Sequence, residues 1–205
     1  MLKLLKKFAL IILLIAAVVG ISLWQPWKYL FDLALIGNNS ALTVNSAGGK
    51  SEVYLDDKKI GETPLSLDNL SPGDFTIDIK RVTSQDSFYT TISKEIHIEP
   101  NTRTLVEVEI GPSDQFSSTS VIYYRDNNSS NSSMYLNSNP SNGTITVDGT
   151  EYDGSPVVIE DIEGGEHTIS VEADGYEPLE ISVISRDGYT LIAEFDLMVK
   201  PIVIE

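Results

Sequence analysis

The strongest constraint in this sequence is that one segment is written twice. Sliding the chain by 92 residues lays Asp56 on Asp148, Pro64 on Pro156, Gly73 on Gly165, Thr76 on Thr168 and Ile77 on Ile169, with no gap from 44 to 80. A match that keeps turn residues as well as core residues means one fold unit copied in tandem. In each copy a strand opens the match: Val53 and Leu55 alternate with Tyr54, and Ile145 and Val147 alternate with Thr146, which buries one face. Asp148-Gly149 then supplies the positive backbone angles of a tight hairpin turn, and Asp56-Asp57 is a less comfortable version of it.

Downstream, Gly61-Glu62-Thr63-Pro64 in the first copy faces Gly154-Ser155-Pro156 in the second. Together with Glu52-Val53-Tyr54-Leu55-Asp56-Asp57-Lys58, Pro140, Val147-Asp148-Gly149 and Asp174-Gly175-Tyr176, this pattern resembles the PEGA domain over residues 41–111 and 134–198. The opening turn of the first copy, Gly48-Gly49-Lys50-Ser51, departs from the family's literal four-letter motif, which neither copy carries. The resemblance implies a small β-sandwich module of the cell envelope and brings no catalytic residues with it.

Beyond the hairpins the alternation continues. Phe75, Ile77 and Ile79 share one parity, as do Ile92, Lys94, Ile96 and Ile98, and then Val106, Val108 and Ile110. Repeat two follows with Val157, Ile159, Ile169, Val171, Ile181, Val183, Leu191, Ala193, Phe195 and Leu197. About seven short strands per copy, joined by polar turns without an amphipathic helix, predict an all-β chain of two tandem antiparallel β-sandwiches, Ig-like or prealbumin-like. Matching Ile96 to Ile181 shortens the offset to 85, so repeat one carries seven extra residues in the loop 82–89. The Ser- and Asn-rich stretch 112–133 reads as a flexible linker that lets the modules 41–111 and 134–200 fold separately. Within it, Val121-Ile122-Tyr123-Tyr124 reads as an added edge strand or as a segment that docks a partner.

The first 36 residues read differently. Between Lys7 and Lys28 lie 20 residues without a charge, enough for a helix to cross the roughly 30 Å hydrocarbon core. Trp24, Trp27 and Tyr29 cluster at one end, and Lys3, Lys6 and Lys7 place the N-terminus in the cytoplasm. The expectation is a single transmembrane signal anchor followed by a short stalk over 28–36. A cleaved secretory signal is the alternative, and both send the remainder across the membrane.

Net charge is −16, and because residues 1–28 hold four Lys and no acid, 10 basic side chains face 30 acidic ones beyond them. Such a field disfavours nucleic acid. Cys is absent, so the modules rely on burial alone. No His-Glu-x-x-His, Gly-x-Ser-x-Gly, Ser-x-x-Lys or phosphate-cradling loop occurs, so no catalytic, cofactor or metal residues are assigned and a non-enzymatic role is expected. His167 stands in the register position of Phe75 and is read as core-edge, while His97 is read as exposed. The acidic turn Glu160-Asp161-Ile162-Glu163 with Glu166 lacks calcium-loop spacing. Asn38, Asn127, Asn128, Asn131 and Asn142 head glycan-acceptor triplets.

These readings converge on a membrane-anchored envelope protein that presents two modules outside the cell to an envelope protein. The alternative is glycan binding to cell-surface polysaccharide through Tyr123, Tyr124, Tyr152, Tyr176 and Tyr189, provided they lie coplanar on one exposed face.

Overall fold

The structure, a computed structural model, describes residues 39–84 and 88–201. The expected anchor and stalk lie outside the described residues. Among those described, no helix is long and apolar enough to cross a membrane.

Repeat one supplies β1 (Ser40–Ala47), β2 (Ser51–Leu55), β3 (Lys58–Glu62), β4 (Leu65–Leu70), β5 (Gly73–Arg81), β6 (Thr91–Ile98) and β7 (Arg103–Glu109). A short 3-10 turn at Asp114–Phe116 leads into β8 (Ser118–Asp126). Repeat two supplies β9 (Ser132–Asn139), β10 (Thr144–Val147), β11 (Thr150–Asp153), β12 (Val157–Ile162), β13 (Gly165–Glu172), β14 (Leu179–Ser185) and β15 (Tyr189–Asp196). The copies agree down to backbone conformation. Asp56 and Asp57 have φ of 46° and 64°, and Asp148 and Gly149 have 49° and 82°, so both hairpins use the same primed turn. The leading Asp has a second task. Asp56 Oδ1 accepts the Thr76 N–H at 3.0 Å and Asp148 Oδ1 accepts the Thr168 N–H at 2.9 Å, tying each turn to the neighbouring strand.

Each repeat divides its strands between two sheets. The small sheets run β3-β2-β5-β6 and β11-β10-β13-β14, while the other strands join one seven-stranded sheet ordered β12-β9-β15-β8-β7-β1-β4. That order is a palindrome about β8. β1 pairs in parallel with β7, and β9 with β15, so the large sheet is mixed, while the two small sheets are antiparallel throughout.

The flexible linker is the main expectation that fails. Residues 118–126, not only 121–124, form the central strand, antiparallel to β7 on one side and to β15 on the other. Because β7 and β15 both oppose β8, they run parallel to each other, which turns the second repeat over relative to the first. The small sheets therefore cover opposite faces of the large one. Val121 and Tyr123 of β8 belong to the core of repeat one with Leu42, Val44, Ile77 and Val106. Ile122 belongs to the core of repeat two with Leu136, Ile145, Ile169 and Phe195, and Tyr124 packs against it. The exchange is mutual: Leu105 from repeat one packs on the second core, and Ile192 from repeat two on the first. Two separately folding modules would not share a strand in this way.

Candidate functional site

Where each small sheet ends, its last strand stands beside the face of the large sheet that belongs to the other repeat. This produces two grooves, one along β6 and one along β14, and the residues that divergence has put into them differ.

The β6 groove is polar and bridged. Lys94, which shares the inward parity of Ile92 and Ile96, pairs its Nζ with Asp196 of β15 at 2.6 Å. Further along, a hollow of about 500 Å³ is lined by Asp56, Asp74, Glu95, His97, Arg125 and Glu194, among others. His97 is not free in solvent: it is half-buried, with Nδ1 at 2.6 Å from Asp74 and Nε2 at 3.0 Å from Glu99. That hydrogen bond from His97 holds the Asp74 carboxyl below its ordinary value. The Tyr123 hydroxyl donates to Glu194 at 3.3 Å, and burial, aided by the Glu194 charge, pushes it up to about 12.

The β14 groove is more apolar. Ala41, Leu105, Ile122 and Val183 line a hollow of about 540 Å³, with Arg103 and Arg186 at its rim. The Tyr124 hydroxyl donates to the Ile184 carbonyl at 2.5 Å, and burial pushes it up. Arg103 donates to Thr43 and Ser66 hydroxyls and to Asp68, while Arg186 donates to the Asn101 carbonyl at 3.1 Å and lies over the Tyr189 ring.

His167 sits away from both grooves at 8% exposure. Its Nδ1 lies 2.6 Å from Asp148, and its Nε2 lies 2.8 Å from the Glu163 carbonyl and 3.0 Å from the Ser185 hydroxyl, which locks two turns to β14. Burial pushes its pKa down, but the hydrogen bonds to Asp148 and Glu163 outweigh that and raise it above the ordinary histidine value.

Among the described residues no group of three or more His, Asp or Glu side chains converges as metal ligands would. In the acidic turn, Asp161 is engaged by the Asn131 amide at 2.6 Å. Of the glycan-acceptor candidates, Asn127 spends its amide inside the β8–β9 turn and Asn131 donates its amide to Asp161 of β12, while Asn128 and Asn142 are exposed and Asn38 lies outside the described residues. The tyrosine strip does not form. Tyr123 and Tyr124 point to opposite faces of β8, Tyr152 and Tyr176 pack on the core of repeat two, and none of the five is exposed. Sequence reading did not pick out the grooves, since their residues come from strands far apart in the chain. The only hint was the pairing of β-branched and aromatic residues at 121–124.

Two copies of a seven-stranded, two-sheet unit with matching Asp-led turns define a tandem small-β-domain protein. The family model described as PEGA domain matches residues 39–114 and 131–198, and the chain belongs to that family. Comparison with the curated proteins finds no match. PEGA domains are small β domains of a non-catalytic type, often extracellular. The matched segments leave out all of β8, so the strand that joins the copies is an addition between family units.

Proposed function

We propose that the chain is a non-enzymatic envelope protein, held in the cell membrane through residues 8–27, which presents its paired β modules outside the cell for structural or adhesive contact with another envelope protein. One observation carries this reading: β8 makes the two modules a single continuous sheet, which suits transmitting force or holding a surface in place better than two units on a slack tether. The uncharged run flanked by lysines and the frequent extracellular placement of PEGA domains support it. Glycan stacking has less support, since it needs flat exposed rings.

The absence of Cys allows a direct test of topology. Lys3→Cys and Ser129→Cys are made singly and treated in intact cells with a membrane-impermeant maleimide. Ser129→Cys is expected to label at once and Lys3→Cys only after lysis. Protection of position 129 in intact cells would overturn the proposal.

A further inference from the structure

Among the described residues the three sheets expose six edge strands, and an unpaired strand edge invites another chain unless something blunts it. Five are blunted. β4 and β12 carry irregular register where Asn69 and Asp161 take φ of 59° and 56°. β3 is covered with charge by Lys58, Lys59 and Glu62, and β11 is only four residues long with Glu151 and Asp153. β6 is bridged by Lys94 to Asp196 and flanked by the His97 carboxylate pairs. β14 is the exception. It reads Leu-Glu-Ile-Ser-Val-Ile-Ser, keeps regular register with β13 along seven consecutive pairs, has one charge, and leaves Ile184 59% exposed.

Its free side opens onto a built groove. The Ile184 carbonyl is turned away from β13, since the Tyr124 hydroxyl donates to it. Backbone groups alternate direction along an antiparallel strand, so those of Glu180 and Ser182 also face outward. Opposite them lie Ala41, Leu105 and Ile122, and the hollow of about 540 Å³ is within the usual range for a bound ligand. The rim is cationic in an acidic molecule: two of the chain's four arginines, Arg103 and Arg186, stand there, and among the described residues only Asp68 pairs with either.

We propose that the β14 groove accepts an extended peptide segment of a protein partner, which adds a strand to β14. Its alternate apolar side chains would fill the floor and an Asp or Glu would meet Arg186. This deepens the protein-interaction reading and rests on it. Maleimide labelling tests presentation outside the cell, and peptide binding tests the groove, so either can fail alone.

The test is selection of a random heptapeptide display library on the purified full chain. Enriched peptides should alternate apolar residues and carry an acid near one end. Arg186→Glu, an exposed turn substitution, should shift that preference to Lys or Arg. Ser182→Pro, which removes an outward N–H from an edge where Pro is tolerated, should weaken the selected peptides about tenfold or more while the circular dichroism spectrum is kept. No enrichment, or equal binding by all three proteins, would overturn the proposal. So would a dimer of the chain itself that Ser182→Pro disperses, because the occupant would then be a second copy.

Discussion

Ile122 offers the sharpest perturbation because it comes from the strand between the repeats yet serves only one core. It is 5% exposed, sits within the repeat-two cluster, and is paired across the sheet with Leu105 of repeat one and Ala193 of repeat two. Ile122→Ala removes three carbons, about 2.4 kcal/mol at 0.8 kcal/mol each, and the cavity left behind extends the range to about 2–5 kcal/mol. With a urea slope of about 2 kcal/mol per molar, the midpoint should fall by about 1–2.5 M. Reporters can be placed cleanly, since both Trp residues precede position 39 and a chain starting at Asn39 has none. Tyr54→Trp on β2 and Tyr152→Trp on β11 then read the two small sheets separately. Both reporters should shift by the same amount, although the lost side chain touches the second core alone. Val121→Ala, on the opposite face of β8 and in the first core, should do the same at a smaller size. A midpoint that moves at 152 and stays fixed at 54 would refute the reasoning.

Other expectations follow from the turns and the buried imidazole. Asp57 pays for φ of 64° with a non-glycine residue, so Asp57→Gly should stabilise by about 0.5–1 kcal/mol, whereas Gly149→Val at φ of 82° should cost about 1–3 kcal/mol; urea midpoints check both. At Gly111 an added Cβ would lie 1.9 Å from the Phe116 carbonyl oxygen, so Gly111→Ala should lower the melting temperature by forcing the β7–β8 connection to move. His167 has a folded pKa above 6.5, so its contribution is complete below that value and is lost as pH rises through the folded value. Asp148 is held below its ordinary 3.8, first by the His167 hydrogen bond, so its contribution is present above 3.8 and is lost as pH falls through the folded value. Thermal scans of the wild type and of His167→Phe, which installs the residue found at position 75, should therefore converge as pH rises through the folded value of His167.

The repeat was legible because turn chemistry is local. Asp148-Gly149 and Asp56-Asp57 predict a primed turn with no knowledge of partners, and both form one. Strand parity was equally readable wherever one face is wet, as at Ile77 and Ile79. β8 was not. It is buried on both faces from Thr119 to Tyr123, so it has no polar alternation to reveal it, and the Ser and Asn residues around it imitate a linker. His97 looked exposed because its partners, Asp74 on the adjacent strand and Glu99 just beyond its own, depend on register and turn geometry. The grooves were harder still: Arg103, Tyr124 and Arg186 converge only once repeat two is turned over across β8.

Native-state hydrogen exchange tests the shared sheet most directly. The amides of Ile77 and Ile79 in β5 and of Ile169 and Val171 in β13 lie in the central strands of the two small sheets, on opposite faces of the large one. If β8 makes one cooperative unit, all four should open with the same free energy and the same denaturant dependence. Exchange of Ile169 and Val171 through a cheaper opening, while Ile77 and Ile79 stay protected, would contradict it.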